Sequence, residues 1–219
     1  MITIQVSGLR ELLAQMDEVG KRQMPFVAAK ALTLTARQAA GAETVHIMDV
    51  FDKPTPFTQR AMGFSPATKT TLKATVFVKD VQAKYLQPEV DGGTRGFKSF
   101  EQKFSAGAGM QVALPGGGMD LNQYGNISKA KIRRIARDVN TSGNAKRFFQ
   151  GTPKGGSMPS GIYARVNNNT QITPLIVFAH AAVYEKRFKF SEVAQETVAA
   201  NFEANLVAAW QEAMRTARP

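Results

Sequence analysis

Most of the chain's 18 glycines fall between Gly92 and Ser160, in runs such as DGGTRG, SAGAGM, PGGG, NTSGN and GTPKGGSMPSG. Glycine loses more backbone freedom on folding than any other residue, so such a stretch does not make long helices or strands by itself. The regular framework must come from the two ends of the chain. The middle is expected to be an insertion of long loops or arms, and unstructured loops beyond about 12–15 residues are functional, disordered or ordered by a partner.

The ends are well patterned. Ile2–Val6 alternates and is β-branched, which predicts a strand. Ser7-Gly8 opens a helix over LRELLAQMDEV that Gly20 ends, and Pro25 suits the first turn of a second helix running to about Phe51. Phe26, Ala29, Leu32 or Thr33, Ala36, Ala40 and Val45 form its apolar stripe, with Lys30, Arg37 and Glu43 on the wetter sides. TLKATVFVKD (Thr71–Asp80) alternates cleanly: Leu72, Ala74, Val76 and Val78 face one way, and lysines stand on the other face. Such a strand is half-buried, or an edge guarded against further pairing.

Within the middle, short helices are predicted at TRGFKSFEQKF and ISKAKIRRIARDV, the latter with Ile127, Ile132, Ile135 and Val139 on one face. GIYARV and ITPLIVFA read as strands joined by an NNNT turn, with Pro174 marking an edge or a bulge. Ser191 caps a last long helix with the stripe Val198, Phe202, Leu206, Ala209, Trp210 and Ala213. The class is therefore α+β: a small antiparallel sheet flanked by long N- and C-terminal helices. The expected organisation is a single domain over 1–219, with a basic glycine-rich insertion at about 92–160.

Between the second helix and its strand lies FDKPTPFTQRAM (Phe51–Met62). Pro54 and Pro56 stop the helix and push Lys53 and Thr55 out of the α region. Phe57–Met62 recovers one helical turn. The prolines are two apart, which is not the P-x-x-P spacing of a polyproline ligand. The stretch reads as a rigid corner with Phe51 and Phe57 tucked into the core. Pro54, Pro56 and Phe57 are also the candidates for wedging against a neighbouring subunit.

Charge narrows the partners. The chain carries 28 basic and 17 acidic residues, a formal net charge of +11. Surplus positive charge suits nucleic acid, anionic lipid or an acidic protein surface. It concentrates between Lys129 and Lys154, and the candidate partner contacts are Lys129, Arg133, Arg134, Arg137, Lys146 and Arg147. Aromatic interleaving, which base stacking on single strands needs, is limited there to Phe148 and Phe149. An acidic protein surface is the preferred partner; non-specific phosphate contact with DNA is the alternative.

Catalysis has little to work with. The chain has no Cys and two His, His46 and His180. Glu43 and Asp49 flank His46 at helical spacing, on what is expected to be a solvated helix surface. His180 reads as a strand-end residue. ALPGGGMD is not a P-loop, no dinucleotide fingerprint is present, and GGSMP is not a nucleophile elbow. No catalytic residue, metal site or cofactor is expected, and the chain does not read as an enzyme. No apolar run approaches the ~18–20 residues of a membrane span. The opening MITIQVSGLRELL lacks a basic region ahead of an apolar run, so no signal peptide is expected.

Several pieces together carry a resemblance: MPFVAAKALTLTARQA, FDKPTPFTQRAM, PATKTTLKATVFVKD, the basic glycine-rich middle, PSGIYARV and the final helix ending AMRTARP. In order and layout the chain resembles the minor tail protein Z and tail-completion proteins of tailed bacteriophages. The likeness is most specific over Phe51–Asp80. It implies a prophage-encoded structural virion protein, made in the bacterial cytoplasm and placed in the neck or tail. It implies a ring-forming subunit, commonly a hexamer, of a head–tail connector or tail terminator. The implied partners are further copies of the chain and neighbouring neck, portal or tail proteins, with no catalytic residues to carry over.

Overall fold

The computed structural model describes residues 1–5, 7, 18–104, 112–140, 147–154 and 157–216. They are helices and antiparallel sheets, an α+β fold. The chain divides into two compact units: residues 1–91 with 186–219, and the inserted 92–185. The insertion thus begins where the glycines begin but runs on to 185. It takes in both strands after Gly161, and it has a sheet and an apolar core of its own in place of long loops.

In the first unit, β1 (Ile2–Gln5), β2 (Met62–Ser65) and β3 (Lys73–Val78) form an antiparallel sheet in the order β1-β3-β2. The Lys-bearing strand is its centre, not an edge. Ala74 and Val76 are fully buried under α1 (Glu18–Val50), beside Leu32, Ala36 and Ile47. Each large aliphatic side chain buried there contributes about 1.5–3 kcal/mol. The predicted helix over residues 9–17 lies outside the described residues.

Gly20 does not end a helix, and Pro25 does not begin one: α1 runs through both. An interior proline costs a helix about 3 kcal/mol. The offset comes from packing on either side of it. Met24, Val27 and Ala31 are buried against Ala209 and Ala213 of the last helix, α6 (Phe190–Thr216), with Leu206 and Trp210 beside them. The pair is antiparallel. Lys30 meets Glu212, Asn205 donates to Thr35 (2.9 Å) and Gln38 (2.7 Å), and Ala194 belongs to the core around Ala39 and Ile47. Alanines along the seam let the two backbones approach closely. The stripe foreseen on α6 is the observed one. On α1, Val45 departs from its foreseen place in the stripe and is 52% exposed.

The proline corner is tightly specified. Lys53 sits in the left-handed region (φ 45°), out of the α region. Thr55 caps α2 (Pro56–Gln59), its Oγ1 accepting from the Thr58 amide (3.2 Å). Pro56 occupies the first turn, where its missing N–H costs nothing. The corner is tied to α3 (Asp80–Asp91): Thr58 bonds Tyr85, and Gln82 donates to the Phe57 carbonyl (3.1 Å). Phe51 packs on the core, its ring 6.0 Å from that of Phe188. Phe57 does not enter it, because the cap turns its ring outward, 49% exposed. Replacing Pro54 and Pro56 together with alanine should lower stability by about 1–2 kcal/mol, chiefly by freeing the unfolded chain. An unchanged denaturation midpoint would mean that the hydrogen bonds alone fix the corner.

The inserted unit is a four-stranded antiparallel sheet in the order β5-β8-β7-β6, made of β5 (Val112–Pro115), β6 (Phe148–Gly151), β7 (Gly161–Val166) and β8 (Gln171–Ala179). A two-stranded ribbon pairs β4 (Gly93–Thr94) with β9 (Val183–Tyr184). α4 (Ser99–Phe104) and α5 (Lys129–Asn140) complete it. Ile135 of α5 is fully buried with Phe148, Ile162 and Ile176, and Ile127 and Val139 pack alongside. Asn167, Asn168 and Asn169 all take left-handed conformations in the β7–β8 turn, which asparagine tolerates. The register shifts at Ile162/Tyr163, with Tyr163 facing Pro174, so the proline sits at a bulge.

The PGGG run answers to close packing. Gly116 and Gly118 donate to the carbonyls of Leu175 and Pro174 (2.9 Å each). A Cβ on Gly116 would lie 2.5 Å from the Pro174 carbonyl oxygen, whereas one on Gly117 would meet nothing within 4 Å. Gly116→Ala should therefore cost about 1–3 kcal/mol. Gly117→Ala should stay within about 0.5 kcal/mol. Equal denaturation midpoints for the two variants would contradict this packing.

A second fixed point of the inserted unit is Glu101, which has no exposed surface. Arg95 clamps it through both guanidinium nitrogens (2.6 and 2.8 Å), and the amides of Lys98 (2.5 Å) and Ala113 (3.0 Å) donate to it. Burial alone would raise its pKa; the Arg95 bonds and the two amides outweigh that and hold the carboxyl below its ordinary range. One carboxylate thus joins β4, α4 and β5.

Candidate partner-binding face of the inserted unit

The inserted unit holds 12 basic and 4 acidic residues, against 16 and 13 in the other unit. Most of the surplus charge therefore lies on it. α5 presents the charge because its isoleucines fix which side faces the sheet. Lys129, Arg133, Arg134 and Arg137 stand exposed on the remaining sides. Arg137 lies in the last turn, where a cation suits the helix dipole. Arg147 is exposed just before β6, and Lys146 lies outside the described residues.

Folding brings Arg134 and Arg147 together, which their separation in the chain does not suggest. The ladder pairs Phe148 with Ala164 of β7, and α5 crosses that face of the sheet. Between them is a cavity of about 160 Å³. Its apolar lining is Phe148, Ala164, Val166 and Leu175, with Gly118 and Thr173 beside them. Lys131, Arg134 and Arg147 line its rim, with Asp120. Lys131 donates to Asp120 (2.8 Å), and that bond holds the Asp120 carboxyl below its usual range. Arg147 lies over the Phe148 ring, 5.5 Å from its centroid. Neither Arg134, Arg147 nor Arg133 has an ion-pair partner among the described residues.

Lys131 is the basic residue of the cavity lining that lies outside the foreseen contact set. Its i, i+3 spacing to Arg134 was the signal that both point the same way. The two aromatics considered for base stacking are both committed elsewhere. Phe148 is 3% exposed in the core. Phe149, on the opposite face of the sheet, stacks on Tyr163 (5.6 Å) beneath the Arg165 guanidinium (4.5 Å).

The other sites foreseen in the sequence, His180 apart, lie in the first unit. Pro54 and Pro56 serve the corner, with Phe57 exposed beside them. His46 does not lie on a freely solvated surface: its Nε2 accepts from the Lys189 amide (3.2 Å) and its ring stacks on Phe188 (5.4 Å). It makes no hydrogen bond to Glu43 or Asp49. Glu43 is the largest departure, because it is fully buried where a wet side was expected. Neither carboxylate oxygen has a partner within hydrogen-bonding geometry. Burial raises its pKa to about 8, only weakly opposed by the Ala194 amide. His180 is exposed at the end of β8.

Among the described residues, no group of three His, Asp or Glu is placed to hold a metal ion. Nor, among them, is any helix long and apolar enough to cross a membrane. No protein-family model, curated protein or solved structure matches the chain.

Proposed function

We propose that this chain is a structural virion protein of a tailed phage: a ring-forming subunit of the head–tail connector, neck or tail terminator that acts by assembly. The observation that carries this reading is the basic face of the inserted unit, where Arg133, Arg134 and Arg147 stand exposed without ion-pair partners among the described residues. A solvated cation loses little by waiting for an acidic neighbour, and such complementary faces fix register between subunits. The long helices add exposed apolar side chains: Val45 and Met48 on α1, Val207 and Met214 on α6. The resemblance of order and layout supplies the setting, with the same chain and neck, portal or tail proteins as partners.

Negative-stain imaging of the purified chain tests this. Closed rings of uniform diameter, commonly six-fold, are expected; a field of separate single subunits at high concentration contradicts it. The second reading is DNA contact, favoured by the surplus of positive charge. Tight binding of duplex DNA at physiological salt, falling steeply as salt rises, would give that reading precedence.

A further inference from the structure

The cavity under α5 combines two demands that few ligands meet. Phe148, Ala164, Val166 and Leu175 give it an apolar part, and Lys131, Arg134 and Arg147 a cationic part, beside Asp120 and Thr173. An inorganic anion would satisfy the cationic part and leave the apolar part wet. A bare apolar group would fill the apolar part and strand two arginines. We propose that the cavity receives an acidic polypeptide segment from a neighbouring assembly protein, which seats one apolar side chain on the apolar part between two carboxylates. This rests on the assembly reading above and names the chemistry of the partner.

The volume suits one side chain: a cavity of about 150 Å³ holds a benzene-sized group, and this one is about 160 Å³. Arg134 and Arg147 present planar forks that match carboxylates in pairs. Lys131 is already engaged by Asp120, so the two arginines are the free receptors on the rim. A nucleotide fits less well. Its base needs an open aromatic face, yet Phe148 is 3% exposed with Arg147 over its ring, and Phe149 is stacked on Tyr163. In an extended segment, side chains two apart share a face. The matching pattern is therefore an acidic residue two positions either side of a leucine or phenylalanine.

The probe is a fluorescein-labelled peptide, Gly-Glu-Ser-Phe-Ser-Glu-Gly, followed by anisotropy on the full chain. Three comparison probes are the same peptide with Gly for Phe, the same peptide with Gln for both Glu, and labelled oligothymidine of equal charge. The parent peptide should bind roughly tenfold tighter than either altered peptide, and tighter than the oligonucleotide. Arg134→Ala and Arg147→Ala should each weaken it by roughly tenfold, with circular dichroism unchanged. Arg133→Ala, outside the cavity, should change it by less than about threefold. Equal binding of the Gly-for-Phe peptide overturns the apolar anchor. Stronger binding of oligothymidine assigns the rim to phosphate, and no anisotropy change with any probe removes the site. Imaging the same samples separates the two readings: peptide binding without rings removes the assembly reading alone, and rings without peptide binding remove the cavity alone.

Discussion

Glu43→Gln should stabilise the protein strongly in alkali and hardly at all in acid. Glutamine keeps the shape of a protonated glutamic acid and cannot ionise. In the native protein the Glu43 carboxyl is fully buried without a partner, and its pKa is raised to about 8 from an ordinary 4.5. Between those values the folded state holds a proton that the unfolded state has lost, so stability falls as pH rises through that window. The effect amounts to at most about 4–5 kcal/mol above pH 8 and vanishes below pH 4.5. A large part of a domain's usual 5–15 kcal/mol is then at stake. The chain's one tryptophan, Trp210, packs in the same unit and reports its unfolding. Denaturation followed by Trp210 fluorescence at pH 5 and pH 9 should show the wild type losing stability and Glu43→Gln holding it. Parallel losses in both would contradict a buried titrating Glu43.

Glu101→Ala should be as damaging to the inserted unit, with the opposite dependence on pH. The substitution strands the Arg95 guanidinium, which is 9% exposed, and frees the Lys98 and Ala113 amides. Breaking a buried pair on one side costs about 3–5 kcal/mol. Because the folded carboxyl lies below its ordinary pKa of 4.5, its stabilisation is complete above that value. It is lost as pH falls through the lower folded pKa. Amide hydrogen exchange resolved along the chain should show Glu101→Ala lowering protection in β4, α4 and β5 at neutral pH. Unchanged protection there would mean that the clamp contributes nothing. Wild-type chain titrated into acid should lose protection in that unit through this carboxyl, whereas alkali acts on the other unit through Glu43.

The sequence foretold elements wherever one face is buried over several turns or residues. The alternation of Leu72 to Val78, the stripe on α6 and, Ile132 apart, the isoleucine face of α5 reappear in the structure, because period reports burial directly. Local breakers misled where tertiary packing overrides them. Gly20 and Pro25 sit inside α1, since Met24 and Val27 gain enough burial on α6 to hold the helix across them. The sheet of the inserted unit stayed hidden for another reason. β5 and β6 are four residues each, and β5 ends in Pro115, too short for alternation to show. β7 and β8 were legible as strands, but nothing local says which unit they join.

The candidate site was legible in its charges and not in its shape. Arg134 and Arg147 stood out as cations, yet only the pairing of Phe148 with Ala164 and the seat of Ile135 bring them to one cavity. Glu43 was invisible as a buried group because a carboxylate on a helix that also carries Lys30 and Arg37 ordinarily faces water. Phe57 erred the other way: its apolarity suggested the core, and the Thr55 cap turned it out.

The assembly claim stands most directly on mass in solution. Sedimentation velocity on the 23.8 kDa chain, run from dilute to the highest concentration it tolerates, separates the outcomes without assuming a partner. The account predicts a discrete species at the mass of a closed ring, with a hexamer expected. A single species at the mass of one chain over the whole range would contradict it.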